Sequence, residues 1–219
     1  MKKLYLRFIL MIVAAAVMGC SNDDESETTD TYDPTYKVSY YRQDPNLNQR
    51  QGYWYDNKFI ELTPQKEPPY TLIVKWDNDE GEKAFNYIVD KKDGVVIQKY
   101  DNYAKNSAVI LCNKYISCPY LYVSSSYKSS TGFLYENEFM QIDNRILLKM
   151  KEGKSVDAIA KKYADVLTLD KNRENARGTE AFDCALKTSC EVLQLAEEIN
   201  LRDDVEWAEP NMYAPIHLY

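Results

Sequence analysis

Histidine is almost missing from this chain: among 219 residues the only one is His217, third from the end. A triad that needs an imidazole base therefore has no candidate in the body of the protein. No serine nucleophile elbow, HExxH helix, phosphate loop or glycine-rich dinucleotide turn is present, and the seven glycines lie scattered. Acidic residues are plentiful, so counting alone does not exclude a carboxylate-pair hydrolase, but no motif for one stands out. No catalytic residue, metal site or cofactor is expected, and the chain reads as a protein that is not an enzyme. Basic charge is also short, with 27 Lys and Arg against 34 Asp and Glu and a formal charge of -7. That balance argues against a nucleic-acid surface. Long apolar stretches are lacking too, since the run from Phe8 to Val17 is too short to span a bilayer.

What the front of the chain does have is a secretory signal. Lys2, Lys3 and Arg7 precede the apolar run, which ends in Val17-Met18-Gly19-Cys20. This box resembles that of bacterial lipoproteins, in which the cysteine after a small residue is acylated and becomes the new N-terminus. The resemblance implies a signal peptide over residues 1–19 and lipidation at Cys20. Two or three acyl chains make a firm anchor where one binds only marginally. Without Lys2, Lys3 and Arg7 the formal charge falls from -7 to -10. Residues 20–35 open with Ser21-Asn22-Asp23-Asp24-Glu25-Ser26-Glu27 and reach no apolar residue before Tyr32, which predicts a flexible acidic tether. Serine and acids just after the cysteine also look like the signal that sends lipoproteins of Bacteroides-type Gram-negative bacteria to the outer membrane and the cell surface.

Four further cysteines fall as two local pairs, Cys112 with Cys118 and Cys184 with Cys190. In an exported protein they read first as structural disulfides, although four cysteines allow three pairings. Zinc is the alternative, but both spacings exceed those of ordinary zinc knuckles. Buried thiols are the third possibility.

The body divides near residue 136. Residues 36–135 form a tyrosine-rich, mostly β subdomain: fifteen of the nineteen tyrosines lie between Tyr32 and Tyr135. Gly52 to Tyr55 and Lys58 to Leu62, separated by Asp56-Asn57, read as a hairpin. Strands are expected at Tyr70 to Trp76, Val95 to Tyr100, Ala108 to Cys112, Tyr120 to Ser126 and Phe133 to Ile142. Glu80 to Val89 reads as a helix with Ala84, Phe85 and Ile88 on one face. Exposed tyrosines would suit a glycan platform; tyrosine is also an ordinary strand residue that keeps its hydroxyl wet.

Residues 136–213 carry a sharper pattern. Ile146, Leu148 and Met150 alternate with Arg145, Lys149 and Lys151 in a half-buried strand. Ser155 is the expected cap of a helix that buries Val156, Ile159, Ala160, Tyr163 and Val166. Leu167 to Leu169 can pair with Phe182 to Leu186. Thr188 and Glu191 make a capping box for a second helix with Val192, Leu195, Ala196 and Ile199 inward. Val205 to Glu209 is the last strand. The order βαββαβ is that of the ferredoxin-like fold, within an α+β chain overall.

That domain closes on Val205-Glu206-Trp207-Ala208-Glu209-Pro210-Asn211, a segment that resembles the closing strand in propeptides of subtilisin-like serine proteases. The Arg145 to Gly153 strand and its following helix fall in the same family order, and the resemblance covers residues 145–219. The order of features in the tyrosine-rich half also looks like the N-terminal region of such proteases from Bacteroides-type organisms. The resemblance implies a βαββαβ sheet seated on two helices of the protease, with the tail 214–219 in its cleft as a cleaved product. The tail would add main-chain hydrogen bonds as an extra strand. Tyr219 would then fill the primary pocket and Ile216 the pocket three residues upstream. The ending His217-Leu218-Tyr219 is similar to that of bacillar propeptides, while Pro215 departs from them. Glu209 matches an acid that caps a protease helix, where free N–H groups prefer a carboxylate, and Asn211 falls where the family has another acid.

Only eight residues follow Asn211, and no catalytic domain is among them. The expectation is a lipid-anchored inhibitor or folding helper of a separate subtilisin-like protease. The alternatives are a surface lipoprotein that captures glycan or protein through its aromatic half, and a truncated remnant of a full-length protease.

Overall fold

A computed structural model describes residues 31–56, 58–91, 94–100, 106–129, 140–171 and 178–213. The signal peptide, Cys20, all but the end of the tether, and the tail 214–219 lie outside the described residues.

The first half runs β1 (Thr31–Asp33), β2 (Val38–Tyr41), β3 (Gly52–Tyr55), β4 (Lys58–Pro64), β5 (Tyr70–Lys75), α1 (Asp79–Asp90), β6 (Gly94–Tyr100), β7 (Ser107–Cys112), β8 (Tyr115–Ser117), β9 (Tyr122–Ser124) and β10 (Ser126–Ser129). The second runs β11 (Met140–Met150), α2 (Asp157–Lys162), β12 (Leu167–Leu169), β13 (Thr179–Cys184), α3 (Ser189–Asn200) and β14 (Val205–Tyr213). Antiparallel sheets thus dominate, with three helices among the described residues, so the chain is of the α+β class.

The β3–β4 hairpin forms as expected, with Tyr55 opposite Lys58 and Asp56 at a φ of 48°, the left-handed geometry that a two-residue turn requires. Asn78 starts α1 by accepting from the Gly81 N–H at 2.9 Å, and Asp79, Glu80 and Glu82 in the first turn complement the helix dipole. The helix lays Ala84, Phe85 and Ile88 on the sheet β6-β7-β5-β9, where Trp76 stacks on Phe85 at 4.3 Å. A small sheet β1-β2-β8 adds Val38, Tyr40 and Ile116 to the same core.

A second core belongs to a seven-stranded sheet, β12-β13-β11-β10-β4-β3, in which β14 also pairs with β11. Ile146 has Phe182 on one side and Pro210 on the other, so the C-terminal strands lie in the order β14-β11-β13-β12 and are antiparallel throughout. Ile146, Leu148, Phe182, Leu167 and Ala208 share one face with Ile159 and Tyr163 from the α2 segment and Val192, Ala196 and Ile199 of α3. Thr188 and Glu191 form the expected capping box.

Packing does not divide at residue 136. Tyr53, Ile60 and Leu62 of the hairpin join the C-terminal core, and β3 packs against both β14 and α3. The strand expected over Tyr120 to Ser126 is instead two, β9 and β10, which part at Ser125 into different sheets. Three buried serines make this switch possible. Ser124 Oγ accepts from Ile142 N–H at 3.2 Å, Ser125 Oγ donates to Asp44 at 2.5 Å, and Ser126 Oγ donates to the Thr71 carbonyl at 2.7 Å. The helix expected from Ser155 to Val166 is shorter at both ends. Ser155 sits ahead of it and accepts from Asp157 N–H, while Val166 and Leu167 both turn back to the Tyr163 carbonyl.

The disulfide expectation is corrected. Cys112, Cys118, Cys184 and Cys190 are all thiols, and all are buried. Cys118 donates to the Tyr36 carbonyl, Cys184 to the Phe182 carbonyl and Cys190 to Gln49 Oε1, so these three each have an acceptor. Burial pushes the Cys184 thiol up to about 12 and that of Cys190 up to about 11. They serve as small core residues with a weak donor.

Candidate functional site: the outer face of the C-terminal sheet

Because both C-terminal helices lie on one face of β14-β11-β13-β12, alternation sends the intervening residues to the other. Register aligns Leu147 with Ala181 and Glu209, and Lys149 with Thr179 and Trp207. Leu147 and Trp207 are half-buried and Ala181 is buried, giving a narrow apolar strip. Ion pairs flank it. Arg145 holds Asp183 at 2.7 Å and Asp170 at 3.5 Å at one end, and Lys149 holds Glu206 at 3.0 Å at the other. Glu206 falls at an irregularity in the pairing, since Lys149 faces Trp207 while Met150 faces Val205.

Glu209 stands on this face, half-buried, with no hydrogen-bond or ion-pair partner among the described residues. Desolvation alone raises its pKa, and its charge adds to the burial that raises the pKa of Tyr53. A carboxylate in this state gains from any donor brought to it. Asn211 differs, because its Nδ2 already donates to Asp143 at 3.0 Å, which leaves Oδ1 for a partner.

Asp143 was not singled out from sequence. It is 2 % exposed, forms an ion pair with Lys75 of β5, and lies where β11 departs from regular pairing with β14. Asn144 beside it accepts from Lys75 Nζ at 2.8 Å and donates to the Cys184 carbonyl at 3.3 Å. The signal was an Asp-Asn pair at adjacent positions, one of which strand alternation must turn inward, in Met140-Gln141-Ile142-Asp143-Asn144-Arg145-Ile146.

Cys20 and the tail residues Ile216, His217, Leu218 and Tyr219 lie outside the described residues. The tyrosines are mostly core: Tyr40, Tyr53, Tyr70, Tyr115, Tyr122, Tyr127 and Tyr163 are buried, and only Tyr32 and Tyr55, at 59 % and 50 %, are prominent among the described residues. Among the described residues no cluster of His, Cys, Asp or Glu is set to hold a metal ion, and no helix is long and apolar enough to cross a membrane. No protein-family model, no curated protein and no solved structure matches the chain.

Proposed function

We propose that this is a lipid-anchored protein of the outer membrane, exposed at the cell surface, that binds and inhibits a subtilisin-like serine protease without an enzymatic activity of its own. The observation that carries the reading is the antiparallel order β14-β11-β13-β12 with both helices on one face. This is the strand order of the ferredoxin-like fold, shared by the propeptides that the Val205 to Asn211 segment resembles. In such an arrangement the free sheet face meets the protease, Glu209 meets the N–H groups of a protease helix, and the tail enters the cleft. Glu209 is suited to that role because nothing among the described residues neutralises it.

Inhibition assays on subtilisin-like proteases with the whole chain test this reading. Burying a tyrosine ring removes roughly 150 to 250 Å² from water, and losing such an anchor typically costs on the order of 2 to 4 kcal/mol. Deleting Ile216 to Tyr219 should therefore weaken inhibition by roughly thirtyfold or more, at about 1.4 kcal/mol per tenfold. Glu209→Ala should cost about 1 kcal/mol. An inhibition constant indifferent to the deletion rejects the product-like tail, and a chain that inhibits no such protease rejects the function. The anchor is tested separately: Cys20→Ala should move the protein from the detergent phase to the soluble fraction.

A further inference from the structure

Between the pairs Ile142 with Met212 and Ile146 with Pro210, four steps along β11 face two along β14. An irregularity of this size breaks the ladder and would leave the end of β14 held by few backbone bonds. The side chains at the break compensate. Asp143 is buried there, takes an ion pair from Lys75 of a different sheet, and accepts from Asn211 Nδ2 at 3.0 Å. Lys75 also donates to Asn144 Oδ1 at 2.8 Å. One carboxylate thus joins β5, β11 and β14.

Buried ion pairs are a poor source of net stability, since well-packed apolar residues in their place often do as well. What such a pair does supply is a defined position for each partner. Beyond Asn211 only Met212 and Tyr213 pair, with Ile142 and Gln141, before the tail begins. We propose that Lys75 and Asp143 form a brace that holds the end of β14 through Asn211, so that the first half of the chain sets the direction in which the tail leaves the domain. The use of this brace rests on the protease-binding reading; its geometry does not. Lys75 and Asp143 are positioning residues that touch no protease, while Asn211 positions through Nδ2 and keeps Oδ1 for the protease.

Amide hydrogen exchange on the whole chain separates the two. A hydrogen bond to a charged group is worth more than a neutral one, so Asn211→Ala should speed exchange at Gln141, Ile142 and residues 211–213 by about tenfold or more, with Val205 to Ala208 unchanged. Lys75→Met should affect the same amides. Wild-type exchange at 211–213, or an equal increase along all of β14, overturns the brace; should Lys75→Met fail to fold, Asn211→Ala decides. In inhibition assays Lys75→Met, or Lys75→Gln should the first fail to fold, should weaken the whole chain about tenfold but leave a chain lacking residues 214–219 at its own wild-type level. Equal losses in both chains, or none in either, overturn the aiming of the tail. If the wild-type chain inhibits no subtilisin-like protease, the protease reading fails and exchange alone judges the brace.

Discussion

Gly52 shows how closely the hairpin is packed. A Cβ there would lie 2.4 Å from the Ile60 carbonyl oxygen and 2.5 Å from Cζ of Phe59, whose ring also carries the Arg50 guanidinium at 3.7 Å. Gly52→Ala should therefore destabilise the protein by about 1 to 3 kcal/mol, measured by urea denaturation. An unchanged midpoint would mean that the strand shifts freely. Asp44 makes a different prediction. Its carboxyl is raised chiefly by desolvation, against lowering hydrogen bonds from Ser125 and Asn46, and its charge in turn helps raise the pKa values of Tyr70, Tyr115, Tyr127 and Cys190. The folded chain holds this proton more tightly than the unfolded chain. Its contribution is fully present below the unfolded value, about 4, and is lost as pH rises through the raised folded value. Relative to wild type, Asp44→Asn should thus gain stability as pH rises above about 4. Parallel stability curves would show that Asp44 ionises in the fold as it does in the open chain. The thiols are simpler to test: the denatured, unreduced protein should titrate with four thiols from Cys112, Cys118, Cys184 and Cys190. None would restore the disulfides that their spacing led one to expect.

At the level of elements, the capping box of α3 is the clearest local determinant. Thr188 Oγ1 accepts from Glu191 N–H at 3.3 Å, and Glu191 Oε2 accepts from Thr188 N–H at 2.9 Å. Thr188→Ala should cost about 1 kcal/mol by thermal or urea unfolding, and Glu191→Ala should add a further loss, because its carboxylate still accepts from the Lys187 and Thr188 N–H groups. This helix was legible in the sequence because cap and apolar period agree. Leu193 was not, because α3 is buried on a second flank: Cys190 and Gln194 both bond Gln49, just ahead of β3. Periodicity along one helix does not reveal that a hairpin 140 or so residues earlier in the chain covers its side. The parting of β9 and β10 was hidden for the same reason. Serine is uninformative locally, and its role at Ser124 to Ser126 is set by Asp44, Thr71 and Ile142 from elsewhere. At the candidate face, Glu209 and Asn211 could be named from their strand, whereas Lys75 and Asp143 could not be paired without the fold.

For the molecule as a whole, two cores share strands and polar links, and they should unfold together. Ser126 of β10 donates to the Thr71 carbonyl of β5 at 2.7 Å, and Tyr122 of β9 donates to the Ile142 carbonyl of β11 at 2.7 Å, so the seam is fastened at several points. A Trp54→Phe, Trp207→Phe variant leaves Trp76, in the first core, as the sole tryptophan. Its fluorescence should change at the same urea concentration as the far-ultraviolet circular dichroism. Separate transitions would mean two independent units. The membership of Tyr53, Ile60 and Leu62 in the C-terminal core also dictates a waiting time during synthesis. These residues leave the ribosome roughly 150 residues ahead of their partners Val205 and Ala208. Until those partners emerge the hairpin exposes an aromatic and aliphatic surface that they will later cover, a stretch of synthesis in which a holding chaperone should matter.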